Sequence, residues 1–156
     1  MKRKSEIFNK DQRIHIIGSN PGSGGVYTFI LNIFNTDDDN IFIYGYRDFF
    51  YFFNNLNIGD VVFLNVVKPS IPFLFISLLF GKNKLKLIYC GHGMNYNNNK
   101  GLKRVIVRIF ERLIIKLVDK VIVLNEKDMI ETLSVNLNSH YLPTYLKPIG
   151  LNYNKN

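Results

Sequence analysis

The fold of this chain is decided by residues 13–34, which read RIHIIGSNPGSGGVYTFILNIF. The first six residues form a short, isoleucine-rich segment that ends at Gly18, a pattern typical of a buried strand. A loop with one proline and three glycines follows, and the apolar run at 26–34 then predicts a helix. A strand, a glycine loop and a helix in this order are the opening of a βαβ unit.

The same alternation continues along the chain to residue 143. Further strands are predicted at 41–44, 60–65, 85–90, 119–124 and 140–143, and further helices at 71–80, 102–118 and 126–133. The aromatic-rich segment 48–56 fits either a helix or a strand. Pro69 and Ser70 are expected to cap the helix at 71–80, and Gly81 to end it. This pattern predicts a single α/β domain, a Rossmann-like parallel sheet with helices on both faces.

Composition limits the class of protein. With 156 residues, 47% of them hydrophobic, the chain can bury the core of one domain. Its single cysteine, Cys90, excludes an intrachain disulfide and fits a reducing compartment. The basic N-terminus lacks the apolar region of a signal peptide, and the longest apolar stretch, 71–80, reaches about half of a membrane span. We expect a cytoplasmic protein, with attachment to the inner face of the membrane as an alternative.

The formal charge of +8 is concentrated in one predicted helix. Residues 101–120 have a net charge of +4, and the basic residues Arg104, Arg108, Arg112 and Lys116 recur at four-residue spacing. This spacing forms a stripe, which is either the solvated face of a helix packed on the sheet or a contact with anionic lipid head groups. The absence of zinc-finger, helix-turn-helix and RNP-like patterns argues against a nucleic-acid partner.

Two loops lie where a parallel sheet binds ligands, at the carboxyl ends of its strands. The loop with Gly24 and Gly25 either lets a phosphate approach the backbone or only makes a tight turn, and its spacing fits neither the P-loop nor GxGxxG. His92, between Gly91 and Gly93, is either a hydrogen-bonding or titrating site residue or a solvated loop histidine. His15, inside the first strand, is expected to be a packing residue.

Other catalytic and metal-binding patterns are missing from the sequence. There is no GxSxG elbow, no HExxH, and no paired His and Asp cluster. The three acids at 37–39 fit a solvated turn better than a metal site. We therefore expect neither a metal nor another cofactor.

Several segments, in order, match one known family. The loop GSGGV at 22–26 resembles a GGV-type opening loop, DVVFLN at 60–65 resembles a "D-V-hydrophobic" third strand, and YCGHG at 89–93 resembles a strand ending in His-Gly. DKVIVLNE at 119–126 and YLPTYLKP at 141–148 resemble two later segments, with Asn125 where Ser is usual. Together they are similar to the N-terminal domain of GT-B glycosyltransferases of family 4. The resemblance covers 13–148, leaving 1–12 as a flexible basic N-terminus and 149–156 as a tail.

The resemblance implies transfer of a sugar from a nucleotide-sugar donor to a glycan or lipid-linked acceptor in polysaccharide biosynthesis, with no metal. It implies His92 as the catalytic residue, and as substrate-binding residues Gly24, Gly25, Gly93, Asn125 and Glu126. It also implies that Arg104, Arg108, Arg112 and Lys116 suit membrane contact. The donor-binding half is expected in a missing C-terminal domain or on a partner chain. The alternatives are a truncated inactive remnant and a non-enzymatic membrane-surface binding module.

Overall fold

The computed structural model describes residues 12–18, 39–45, 47–81, 84–93, 97 and 99–141. The strands within these residues are β1 Ile14–Ile17, β2 Ile41–Tyr44, β3 Val61–Leu64, β4 Lys86–Gly91, β5 Lys120–Val123 and β6 Ser139–Tyr141. The helices within them are α1 Phe49–Asn55, α2 Val67–Gly81, α3 Gly101–Leu117 and α4 Glu126–Leu133. The glycine loop, the predicted helix at 26–34 and the tail lie outside the described residues.

All strands of the described residues join one parallel sheet, in the order β2-β1-β3-β4-β5-β6. In β1, Ile14 is in register with Ile41 of β2 on one side and with Val61 of β3 on the other. From β2 to β6, consecutive strands are joined by crossovers that contain the described helices α1 to α4, as βαβ units require. The predicted Rossmann-like α/β class is confirmed.

The ambiguous segment at 48–56 is a helix, α1, because one face of it is buried. Phe52 is fully buried, and its ring packs edge-on against Tyr44 and Phe73. Asp48 precedes the helix, and its carboxylate accepts a hydrogen bond of 2.7 Å from the backbone N–H of Gly45. Tertiary packing therefore decides the conformation of this aromatic run.

Helix α2 begins earlier than the sequence pattern predicted. It starts at Val67, so the expected cap at Pro69 and Ser70 is wrong. Proline is tolerated there because the first N–H groups of a helix have no partner within it. Gly81 ends the helix as predicted, with a φ of 121°. No helix in the described part of the chain is both long and apolar enough to cross a membrane.

The main core lies between the sheet and the described helices. It contains Tyr44, Leu64 and Tyr89 from the strands, Phe73 from α2 and Ile114 from α3, all at most 1% exposed. Helices α1 and α4 contribute to the same cluster. All four described helices therefore cover one face of the sheet.

The opposite face of the sheet is also buried. Its cluster consists of apolar strand residues, among them Ile16, Phe63 and Cys90, and no described helix contributes to it. The helix predicted at 26–34 is not among the described residues. Burial raises the pKa of the Cys90 thiol to about 12, so this cysteine is a packing residue and not a nucleophile.

Three buried side chains, Tyr44, His15 and Asp60, are linked by hydrogen bonds next to the main core. His15 is fully buried, with its Nδ1 2.9 Å from the Tyr44 hydroxyl and its Nε2 2.8 Å from the Asp60 carboxylate. Burial lowers the pKa of His15 and outweighs the opposing effect of Asp60. The ring is therefore neutral at pH 7, donating from Nε2 to Asp60 and accepting at Nδ1 from Tyr44.

The prediction that His15 is a packing residue is confirmed, but the reading that no His and Asp are paired is wrong. His15 and Asp60 are 45 residues apart in sequence. They meet because β1 and β3 are neighbours in the sheet, with His15 in register with Val62. Asp60 directly precedes β3, so this pair lies toward the amino ends of the strands, away from the edge where ligands bind.

Candidate functional site

The strand order identifies where a ligand binds in this class of sheet. From β1 the chain moves outward to β2, returns across β1 to β3, and then advances through β4 and β5 to β6. The direction reverses between β1 and β3. In open α/β sheets ligands bind at such a reversal, beyond the carboxyl ends of the strands. The residues that follow β1, β3 and β4 are therefore the candidate site.

Gly18 ends β1 in a conformation that suits glycine. Its φ is 111°, and a Cβ atom placed there would lie 3.1 Å from the backbone nitrogen of Val66. A side chain at the end of β1 would thus make an unusually tight contact with the segment after β3. Gly24 and Gly25, which follow in sequence, lie outside the described residues, so their role in binding a diphosphate stays a prediction.

Asn65 follows β3 and is only 1% exposed. Its backbone N–H and its side-chain Nδ2 both donate to the carbonyl of Ile17, at 3.0 and 3.2 Å. The bond from Nδ2 fixes the orientation of the amide, since Nδ2 must face that carbonyl. The amide oxygen of Asn65 consequently points the other way, to the residue after β4.

His92 directly follows β4. Its Nε2 lies 3.3 Å from the Oδ1 of Asn65. An amide oxygen only accepts, so Nε2 carries the proton in this contact. Burial lowers the pKa of His92 to about 4, and the imidazole is therefore neutral at pH 7. Asn65 fixes the tautomer, in the way that a second hydrogen bond usually does for a functional histidine.

The two glycines beside His92 differ in what they contribute. Gly93 has a φ of 108°, and a Cβ atom there would meet no atom of the described residues within 4 Å, so glycine is needed for its backbone conformation. A Cβ atom on Gly91 would be in ordinary contact with Tyr89 and Val123, at 3.7 Å. Of the pair, Gly93 is the one that shapes the turn after β4.

Asn125 and Glu126 lie beyond the carboxyl end of β5, on the same edge of the sheet. The side chain of Asn125 caps α4, accepting from the backbone N–H of Asp128 at 2.8 Å and donating to its carboxylate at 2.7 Å. Glu126 is exposed in the first turn of α4, where its charge complements the helix dipole. Their predicted role in binding substrate is untested, and both have a structural role of their own.

The basic residues of α3 are exposed, as either interpretation of the stripe requires. Arg104, Arg108, Arg112 and Lys116 all lie at the surface. Arg108 pairs with Glu131 of α4 at 3.3 Å, an exposed contact of little energetic weight. The face of α3 directed away from the sheet is not purely polar, however, because apolar side chains are exposed beside these charges.

Asn65 and Asp60 are the described residues of interest that the sequence interpretation did not single out. The signal for Asn65 was present, because a polar residue directly followed a continuous apolar strand at the ligand edge. No group of three or more His, Cys, Asp or Glu side chains among the described residues has the geometry to hold a metal ion.

The fold and the site together define a Rossmann-like α/β protein with a polar pair, Asn65 and His92, at the switch point of its sheet. No protein-family model matches the chain, and no curated protein shows significant similarity to it.

Proposed function

We propose that the carboxyl edge of the sheet binds hydroxyl groups of a sugar, and that the chain is the acceptor-side half of a glycosyltransferase. The observation that carries this proposal is the contact of His92 with Asn65 at the switch point. The resemblance of five segments, in order, to family 4 enzymes supports it. The donor nucleotide would be held by a second domain, on a partner chain or on a further part of the same protein.

The neutral state of His92 favours a hydroxyl ligand over an anion. With Nε2 donating to Asn65, a neutral imidazole can meet a ligand only as an acceptor, which matches the O–H of a hydroxyl group, and it adds no charge to hold a phosphate. In sugar transfer the bond from the anomeric carbon to the diphosphate breaks, a bond to the acceptor oxygen forms, and the acceptor loses its proton. With a pKa of about 4, His92 is a weak base at pH 7, so it orients a hydroxyl group and does not remove its proton.

A titration of the isotope-labelled chain tests the proposal. Amide NMR spectra would be recorded with nucleotide-sugars, free nucleotides and simple methyl glycosides. We expect glycosides to shift the amide signals of Gly18, Asn65, His92 and Gly93, because these residues form the edge where the sugar would lie. His92→Ala should abolish the shifts at Asn65 and Gly18.

The matched control is His140→Ala, because His140 is exposed on β6 and lies two strands from His92. This variant should respond to glycosides like the parent chain. If no glycoside or nucleotide-sugar shifts the edge residues of a folded sample, the proposed function is wrong. Equal responses of the two variants would show that the site is elsewhere.

A further inference from the structure

The outer face of α3 is apolar along most of its length. Leu102, Val105, Ile109 and Leu113 recur at helical spacing, and Leu102 and Ile109 are 75% and 61% exposed. The opposite face, with Ile114 and Ile115, is buried in the main core. A helix on the surface of a folded domain normally places polar residues on the side away from the core. The outer face of α3 therefore exposes more apolar surface than water would favour.

Helix α2, which packs against α3, continues this surface. Its outward residues Pro72, Phe75 and Leu79 are exposed, Leu79 to 86%. Both helices pack on the same face of the sheet, so their outward residues point to the same side of the molecule. We call the exposed apolar residues of α2 and α3 together the helical face. Contiguous apolar patches of this kind mark surfaces that bind a partner or a membrane.

The exposed charges on α2 and α3 themselves are all positive. Residues 61–118 contain ten Lys and Arg and a single acid, Glu111. Glu111 is fully buried and accepts a hydrogen bond of 2.9 Å from the Tyr89 hydroxyl, so its carboxylate does not face outward. Arg112 and Lys116 are exposed on α3, close in helical position to Ile109. The occupant of this face must therefore accept both apolar side chains and positive charge.

We infer that the helical face docks on an anionic lipid surface. Apolar side chains of a helix lying in the interface enter the acyl boundary, while its Lys and Arg side chains stay at the phosphate groups. A second copy of the chain is a poorer occupant, because two faces carrying Arg112 and Lys116 would repel one another. This docking does not depend on sugar binding, since the helical face and the carboxyl edge of the sheet are different surfaces.

Sedimentation with lipid vesicles tests the electrostatic part. The chain should bind vesicles of phosphatidylcholine with phosphatidylserine and bind pure phosphatidylcholine vesicles much less. Removing two charges, in Arg112→Gln with Lys116→Gln, should weaken binding by about 30-fold, from about 1 kcal/mol for each basic residue near the surface. Lys127→Gln, on the exposed side of α4, is the control and should change binding little.

Tryptophan reporters test the apolar part, since the chain has no native tryptophan. Leu79→Trp and Ile109→Trp should each show a blue-shifted emission with vesicles and be quenched by brominated acyl chains. Leu137→Trp, at a residue that is 87% exposed outside these helices, should show neither effect. Circular dichroism would establish that each variant is folded.

Three outcomes would overturn the inference. One is equal binding to charged and uncharged vesicles, and another is reporters at 79 and 109 that remain accessible to water on the vesicle. The third is a chain that binds no vesicles but either self-associates as its concentration rises or binds an acidic protein instead. Loss of glycoside binding with intact vesicle binding would reject the proposed function alone.

Discussion

At Gly18 the demands of backbone and packing coincide. The residue has a φ of 111°, a region that L-residues rarely adopt, and a Cβ atom there would also lie unusually close to Val66, 3.1 Å from its backbone nitrogen. Gly59 shares the first property, with a φ of 94°, but nothing lies within 4 Å of the position its Cβ would take. Comparing substitutions at these two glycines therefore distinguishes the cost of backbone strain, which both share, from the cost of the steric contact, which only Gly18 has.

Gly18→Ala should destabilise the protein more than Gly59→Ala. Both substitutions introduce backbone strain of about 1–3 kcal/mol, and only Gly18→Ala adds a contact with the chain after β3. The free energy of unfolding in urea would be measured for both. Equal losses would contradict the close approach of β1 to Val66.

Among the elements, α4 shows how a residue nominated for binding also has a local structural role. Asn125 lies where the family pattern has Ser, and in this chain its side chain caps the helix through Asp128. Asn and Ser are both favourable N-cap residues. The difference from the family pattern is thus one that the helix end tolerates.

Substitution at Asn125 separates capping from substrate binding. Asn125→Ala should lower the free energy of unfolding by about 1 kcal/mol, because the N–H of Asp128 loses its acceptor. Asn125→Ser should retain most of that stability. If the Ser variant were as unstable as the Ala variant, the cap would not be the role of this side chain. A stable Ser variant that no longer responds to glycosides would assign a substrate contact to Asn125.

For the molecule as a whole, a buried histidine, His15, and a half-buried one, His92, link folding to pH. Burial lowers the pKa of His15 and that of His92, the latter to about 4, from 6.5 in an unfolded chain. Protons therefore bind the unfolded chain more readily. The stabilising effect of the neutral rings is complete above pH 6.5 and is lost as the pH falls toward the folded-state pKa values.

As the pH falls from 6.5 to 5, unfolding should take up about one proton at His92 and a further uptake of the same sign at His15, and the free energy of unfolding should fall accordingly. His92→Gln should reduce this slope, because only His15 then contributes. His140→Gln, which replaces the exposed histidine of β6, is the control variant. Urea unfolding at several pH values measures the slope. An unchanged slope in His92→Gln would contradict a lowered pKa for His92.

Much of the architecture was accessible from residue patterns. The short β-branched runs that became β1, β3 and β4 are continuous because both faces of these strands are buried, and that pattern is local. The start of α2 was not predicted, because the pattern treated Pro69 as a boundary although it fits within a first turn. The conformation of the aromatic segment 48–56 depended on where Phe52 would be buried.

One part of the candidate site was predictable from the sequence and another part was not. His92 was found from the sequence because glycines flank it after an apolar strand. Its contact with Asn65 was not, because 27 residues separate the two and only neighbouring strands bring them together.

Sequence by itself determined the order of the described strands and of helices α2 to α4, the basic character of α3 and the position of His92 at a strand end, since each follows from neighbouring residues along the chain. The tertiary structure alone decided that Asp60 and Tyr44 hold His15, that Asn65 fixes the tautomer of His92, and that α2 and α3 form one apolar face. These are contacts between distant segments, and they arise only when the parallel sheet sets its strands side by side and layers the helices on one face.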